Sequence, residues 1–152
     1  MLGDQRIAPD ILAAMERNPE IGMIASDHYF PITNSVSWGN SLEVSRALAM
    51  RMGVQIDSNS PLDFPSGSMF WIRSAALKPL LDLNLSVDDF HPEERQIDGT
   101  LAHAVERLYF YACEIAGLKW IKVCRPEMVH DSSRPLARFN DEADLQSYLA
   151  MN

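Results

Sequence analysis

FPSGSMFWIR (residues 64–73) begins the segment that decides the fold, and the chain continues through LDLNLSVDDF (81–90) to HPEERQIDGTLAHAVER (91–107). The apolar run 69–72 follows a turn of small residues and predicts a core strand. Residues 98–117 predict the longest helix, because apolar side chains recur there at helical spacing. Loops held between a strand and a helix often carry functional side chains, so the candidate residues are sought in this segment.

Outward from this segment, short helices and strands alternate along the chain. The further predicted elements are helices at about 9–17, 40–53, 75–81 and 141–151 and strands at 21–25 and 120–124. Ser74 is expected to cap the helix at 75–81, and Asn40 or Ser41 the helix at 40–53. This alternation predicts an α/β fold.

Length and composition favour a single domain over residues 1–152, because 47% of the 152 residues are hydrophobic. The formal net charge of −8 argues against a nucleic-acid partner, since affinity for phosphate backbones comes largely from Lys and Arg. No apolar run approaches the roughly 18 residues of a membrane span, and the N-terminal residues do not match a signal peptide. Cys113 and Cys124 belong to no CxxC pair, so we expect a soluble, cytoplasmic protein with reduced thiols.

Several motif classes are absent from the sequence. It contains no GxxxxGK[ST] or GxGxxG phosphate-binding loop, no HExxH metalloprotease helix and no Cys/His cluster with zinc spacing. It also contains no Asp-x-Asp pattern. The sequence therefore offers no obvious site of its own for a diphosphate or a metal ion.

The acid-rich loop before the long helix is the main candidate for chemistry. It carries His91, Arg95 and the carboxylates Asp88, Asp89, Glu93, Glu94 and Asp98. Clustered carboxylates raise one another's pKa, which can leave one of them as a general base near neutral pH. A structural interpretation is also open, because Asp98 stands where an N-cap residue of the long helix would stand and the glutamates could form an ordinary acidic first turn.

The motifs GSMFW, DGTLAHAVER and the upstream WGN together resemble the rhamnan synthesis protein F family, bacterial sugar-transferring proteins of polysaccharide and lipopolysaccharide assembly. The resemblance extends from about Asp10 to His130. It implies a glycosyltransferase of the GT-A type, in which a nucleotide-binding half with an Asp-x-Asp metal motif precedes an acceptor-binding half. The chain resembles the second half, which implies a small mixed sheet flanked by helices.

The resemblance implies catalytic roles for two carboxylates. Asp98 falls where many inverting GT-A enzymes place an acidic residue at the start of a helix, positioned to take the proton of the acceptor hydroxyl. Glu94 is the second candidate for this base.

The segment GSMFW resembles the strand that lines the sugar site in such folds. Gly67 and Ser68 would let a ligand approach the backbone, and Trp71 could stack on a sugar face. Plain core packing of Trp71 is the alternative. Arg73 and Arg107 could neutralise phosphate or fix the carboxylates, and structural ion pairs are the alternative for both.

Two more parts of the site come from the resemblance. Trp38 and Asn40 would lie in a loop near the active cleft, although a turn followed by an N-cap explains Gly39 and Asn40 equally well. His130 follows the last predicted strand, where GT-A folds often place a histidine near the metal. The resemblance therefore implies a divalent metal, Mn or Mg, with His130 as a ligand.

The function implied is sugar transfer from a nucleotide sugar to a saccharide acceptor in bacterial cell-surface polysaccharide or lipopolysaccharide synthesis, if a donor-binding half is supplied. A partner chain could supply that half, and formation of a homo-oligomer would cover strand edges that a half-domain exposes. The alternative is a non-catalytic carbohydrate-binding or interaction module. In that case the acidic loop is only a cap and a solvated face.

Overall fold

The computed structural model of the chain describes residues 7–28, 31, 36–92, 97–124 and 142–151. Its helices are α1 (Ile7–Arg17), α2 (Leu42–Arg51), α3 (Ser74–Leu81), α4 (Leu101–Ile115) and α5 (Glu142–Met151). Its strands are β1 (Ile21–Ser26), β2 (Phe70–Ile72) and β3 (Lys119–Val123). Short 3-10 turns lie at Gly39–Ser41, Ser66–Ser68 and Val87–Asp89.

The three strands form one mixed sheet in the order β2-β1-β3. β1 pairs antiparallel with β2, placing Ala25 opposite Phe70, and parallel with β3, placing Ile24 opposite Ile121. The carboxyl ends of β1 and β3 therefore meet at one edge of the sheet, and β2 begins at the same edge. The predicted α/β fold with a small mixed sheet flanked by helices is confirmed.

Both faces of the sheet are covered, which explains why β1 is a continuous apolar run. On one face, Ile11 and Met15 of α1 pack in an apolar cluster with Ile24. On the other face, Met23 packs in a cluster with Phe110 of α4 and with residues of α3. The sheet thus lies between α1 and the pair formed by α3 and α4.

A further helical layer lies beyond α4. Leu48 of α2 and Leu80 of α3 are buried in one cluster with Ala104 and Leu108 of α4. The same helix contacts the sheet through Phe110. Because α4 packs in both clusters, its position is fixed, and so are the positions of Glu106 and Arg107 on it.

The start of α4 differs from the sequence prediction. Thr100 is its N-cap, and the Thr100 hydroxyl accepts a hydrogen bond from the backbone N–H of His103. Gly99, with a φ of 87°, turns the chain between Asp98 and the helix. The prediction that Asp98 caps this helix is therefore wrong, because the turn directs Asp98 to a different segment.

The start of α3 also differs. Ser74 is its first helical residue, and Arg73, whose backbone is extended, takes the N-cap position without a side-chain capping bond. The prediction that Ser74 is the cap is wrong, because β2 leads into the helix through Arg73 with no intervening residue.

Two other expectations can be compared with the structure. Cys113 is a buried free thiol, and Cys124 is exposed. Within the described ranges, no helix combines the length and apolarity needed to cross a membrane.

Candidate functional site

The candidate residues gather at the edge where β1 and β3 end. Residues 27–28 follow β1 at this edge, and the loop 61–69 precedes β2 there. Side chains from the first turns of α4 contact the same loop. Ligands of α/β proteins bind most often beyond the carboxyl ends of parallel strands. This edge is therefore the part of the fold to examine for chemistry.

Asp98 cross-links two distant segments of the chain. Its Oδ2 accepts the backbone N–H of Asn40 at 2.8 Å, and its Oδ1 accepts the hydroxyl of Ser41 at 2.5 Å. Nη2 of Arg107, from α4, lies 3.1 Å from Oδ1. We call these four residues the Asp98 network. The Asp98 carboxylate thus accepts hydrogen bonds from the 3-10 turn Gly39–Ser41. This turn directly precedes the N-terminus of α2.

The pKa of Asp98 lies below its ordinary value. Burial raises the pKa, but hydrogen bonds from the Ser41 hydroxyl and from the N–H groups of Asn40 and Gly99, with the charge of Arg107, outweigh burial. The carboxylate is therefore ionised at neutral pH, as a general base must be. The same interactions make it a weaker base than an unperturbed aspartate.

Arg107 connects the Asp98 network to the loop 61–69. Besides its contact with Asp98, it donates to the backbone carbonyls of Ser37 and His103, each at 3.1 Å. Its guanidinium carbon lies 5.4 Å from the centre of the Phe64 ring. The side chain is only 11% exposed. Arg107 therefore fixes a carboxylate, which is one of the two roles expected from the sequence.

The turn that contains Gly67 and Ser68 is held from two sides. Glu106 of α4 accepts the Gly67 N–H at 2.8 Å, and Nδ1 of His28 lies 3.0 Å from the Ser66 hydroxyl. Gly67 and Ser68 have φ angles of 74° and 52°, in the left-handed region that a tight turn requires. Both residues are exposed, so a ligand can reach their backbone.

A second group of ionisable side chains lies at this edge, and the sequence analysis missed it. Oδ1 of Asp63 lies 2.9 Å from Nε2 of His28 and accepts the Phe64 N–H at 2.8 Å. The Lys122 ammonium donates to the same oxygen at 2.5 Å and lies 3.7 Å from Asp27. We call Asp27, His28, Asp63 and Lys122 the Asp63 cluster.

The residues of the Asp63 cluster differ in burial: the side chains of His28 and Lys122 are largely buried, whereas that of Asp63 is partly exposed. The side chains of His28 and Lys122 are 1% and 10% exposed, whereas that of Asp63 is 31% exposed. Burial raises the pKa of Asp63, but the hydrogen bonds and charges of His28 and Lys122 outweigh it and lower the pKa below its ordinary value. Asp63 is therefore an ionised carboxylate in a fixed orientation.

The sequence did contain a signal for this cluster. Asp27 and His28 directly follow the apolar run of β1, and ionisable residues at the end of a parallel strand lie at the ligand edge of a sheet. The missing information was the strand pairing. Only the parallel alignment of β1 with β3 brings Lys122 beside Asp27.

Trp71 lies on the opposite face of the sheet from α4, and Arg73 follows the far end of β2. Trp71 packs on the α1 face of the sheet, in the apolar cluster that contains Ile11. Arg73 donates to the backbone carbonyl of Ile21 at 2.9 Å and to that of Met15, at the amino end of β1. These positions favour the core-packing interpretation of Trp71 and the structural interpretation of Arg73.

Trp38 and Asn40 flank the Asp98 network. Trp38 is buried, donates its Nε1–H to the Ser60 carbonyl at 3.1 Å and lies beside Tyr111. Asn40 is exposed, and its backbone N–H is bound by Asp98. Trp38 thus supports the segment from inside, while Asn40 lies at its surface.

Glu94 and His130 lie outside the described residues. No group of three or more His, Cys, Asp or Glu side chains in the described part of the chain is arranged to hold a metal ion. The second base and the metal ligand therefore stay predictions.

Comparison with known proteins identifies the family. The sequence profile described as rhamnan synthesis protein F matches residues 2–117, which include the Asp98 network and all of α4. Uncharacterized proteins WxcX from two strains of Xanthomonas campestris pv. campestris are each 41% identical over 118 residues, covering 77% of this chain. The match covers only 16% of each of these relatives. No solved structure matches the chain significantly.

The family match spans most of the chain, and it links the chain to polysaccharide biosynthesis. The matched residues include the turn at Gly67 and the Asp98 network, whereas Lys122 of the Asp63 cluster lies beyond them. The chain belongs to the rhamnan synthesis protein F family.

Proposed function

We propose that the chain is the acceptor-binding half of a GT-A-like glycosyltransferase that acts in polysaccharide synthesis. The reaction would transfer a glycosyl group from a nucleotide sugar to a hydroxyl of a saccharide acceptor. One observation carries the proposal: Asp98, an ionised carboxylate that is 19% exposed, lies where the turn 39–41 and α4 meet, and Arg107 joins it to the loop 61–69. Membership of the family supports the polysaccharide setting.

Asp98 would act as the general base. The acceptor oxygen attacks the anomeric carbon, the bond to the nucleotide diphosphate breaks, and the acceptor proton passes to Oδ1 of Asp98. The Ser41 hydroxyl, which now occupies Oδ1, would turn away as the acceptor hydroxyl replaces it. Arg107 and the Asn40 N–H would keep the carboxylate in position.

The donor side of the reaction would be supplied by a donor-binding half. That half would hold any Mn²⁺ or Mg²⁺, with His130 of this chain as a candidate ligand. A partner chain or another segment that carries an Asp-x-Asp motif would supply that half.

A second candidate function is a non-catalytic saccharide-binding module. One observation favours it: hydrogen bonds and an ion pair already occupy both oxygens of Asp98 and lower its pKa. On this interpretation Asp98 holds the ligand-binding loops together and takes no proton.

Sugar transfer by matched variants tests the two functions. The purified chain, alone and with a nucleotide-sugar-binding partner that carries Asp-x-Asp, would be assayed with saccharide acceptors. We expect Asp98→Asn to reduce the transfer rate by roughly a hundredfold or more while saccharide binding is retained. Asp82→Asn, which removes an exposed carboxylate that pairs with Lys78 just after the end of α3, is the control and should leave the rate unchanged. Full transfer by a folded Asp98→Asn variant would reject the base. Saccharide binding without transfer by the unaltered chain, both alone and with the partner, would favour the module.

A further inference from the structure

We infer that Asp63 is the hydroxyl-binding centre of a saccharide subsite at the carboxyl ends of β1 and β3. The inference rests on the proposed function, because it specifies which residues hold the sugar ring of the acceptor. Its main support is the arrangement of His28 and Lys122 around this carboxylate.

The two oxygens of Asp63 are used unequally. Within the described part of the chain, the contacts from the Phe64 N–H, His28 and Lys122 all end on Oδ1. An ionised carboxylate has about four acceptor positions shared between its two oxygens. As far as the described residues are concerned, Oδ2 therefore keeps its acceptor capacity for a ligand, while Oδ1 is held in place.

The support for Asp63 comes from side chains that are costly to bury. An ammonium group loses most of its hydration when it is buried, and this loss is compensated only by close opposite charges and hydrogen bonds. Lys122 has both, from Asp63 and Asp27. Two buried polar side chains that fix one partly exposed carboxylate form a preorganised ligand-binding group.

The charges around Asp63 select the class of ligand. Among the described residues, Asp27 and Asp63 face the ammonium of Lys122, and Glu106 adds a further carboxylate at the neighbouring Gly67. An excess of negative charge disfavours phosphate and other anions. A neutral ring with several hydroxyl donors suits this site, because hydroxyl groups form strong hydrogen bonds to carboxylates.

Phe64 places the subsite beside the Asp98 network. Its backbone N–H donates to Asp63, and its ring lies against Arg107, which contacts Asp98. One residue thus sets the spacing between the group that would bind a sugar hydroxyl and the group that would take a proton. A saccharide held at Asp63 would therefore lie next to the proposed base.

An NMR titration of the purified chain tests the subsite. The probes are neutral hexoses, deoxyhexoses and their oligomers, with uridine diphosphate as the anionic comparison. We expect saccharides, but not the diphosphate, to shift the backbone amides of Asp63, Phe64 and Gly67. The dissociation constant should rise about tenfold or more in Asp63→Asn, because a charged hydrogen-bond acceptor is lost. Asp82→Asn should leave it unchanged.

Three results would overturn the subsite: equal affinity of Asp63→Asn and the unaltered chain, saccharide-induced shifts that map away from the loop 61–69, or no shift at millimolar saccharide. If the Asp63→Asn variant fails to fold, the location of the shifts in the unaltered chain still shows whether the saccharide binds at the loop 61–69. The transfer assay on Asp98→Asn is separate. Failure of the subsite leaves the proposed transferase standing, and failure of transfer leaves Asp63-dependent binding standing.

Discussion

The Asp98 carboxylate lies 2.5 Å from the Ser41 hydroxyl, although 57 positions separate the two residues in the sequence. The neighbouring Asn40 N–H binds the same carboxylate. No side-chain capping bond is supplied locally by Trp38 or Ser41, the cap residues of this turn and of α2. Because a negative charge is favourable near a helix N-terminus, Asp98 takes over this function and fixes α2 against α4.

Replacing Arg107 by Met should destabilise the protein strongly. Asp98 would lose its counter-charge, and two backbone carbonyls would lose their donor. We expect the free energy of unfolding to fall by roughly 2–4 kcal/mol. Urea denaturation would measure the loss. The matched control is Arg46→Met, which removes an exposed pair with Glu43 and should cost less than about 1 kcal/mol. Equal losses in both variants would show that the Asp98 network contributes little to stability.

Gly39 permits the close approach of Asp98 to the turn. A Cβ atom added at Gly39 would lie 2.2 Å from Oδ2 of Asp98, and the φ of Gly39 is 51°. Gly39→Ala should therefore combine a left-handed backbone penalty of about 1–2 kcal/mol with a steric clash. Gly53→Ala is the control, because Gly53 also has a positive φ but an added Cβ meets no atom within 4 Å. Equal changes in the unfolding midpoint would contradict the close contact with Asp98.

Stability should depend on pH through Asp98 and Asp63. Both have a folded-state pKa below the ordinary value of 3.8. The unfolded chain therefore binds their protons at a higher pH than the folded chain does, and stability rises with pH through this window. The contribution is complete above about pH 4 and is lost as the pH falls through the folded-state values.

The test of this pH dependence is urea denaturation at a series of acidic pH values. Asp98→Asn should be less stable than the unaltered chain near neutral pH and should lose less of its stability on acidification. Asp63→Asn should behave in the same way. A slope as steep as that of the unaltered chain in both variants would show that other groups cause the acid sensitivity.

The strands and helices could be predicted because their signals are local. The apolar run at 21–25 and the helical periodicity after residue 100 each depend on a few neighbouring residues. The side-chain contacts that form the site join residues that are far apart in the sequence. Asp98 meets Ser41, and Lys122 meets Asp27, only after the chain has packed. The sequence thus indicated Asp98 as a candidate residue, but the structural interpretation that it caps α4 is wrong, because its carboxylate binds Asn40 and Ser41 before α2.

Strand geometry explains why Trp71 and Arg73 lie apart from Gly67 and Ser68. Successive side chains of a strand point to opposite faces, so Phe70 and Ile72 face α4 whereas Trp71 faces α1. Arg73 lies at the far end of β2, because β2 runs antiparallel to β1. Gly67 lies at the edge where β1 and β3 end, because its turn immediately precedes β2. The segment from Gly67 to Arg73 therefore does not form one continuous ligand surface. Its side chains are divided between the two faces of the sheet and between the two ends of β2.

Trp71→Leu separates core packing from sugar stacking. Because Trp71 packs in the apolar cluster between the sheet and α1, we expect its truncation to lower the free energy of unfolding by roughly 2–4 kcal/mol. Saccharide-induced NMR shifts at the loop 61–69 should be unchanged, since Trp71 faces α1 whereas the loop is contacted by Glu106 and Arg107 of α4. Asp63→Asn differs from Trp71→Leu in its effect on the ligand, because it should weaken saccharide binding. Weaker saccharide binding by a folded Trp71→Leu variant would place the sugar against the α1 face and restore the stacking role.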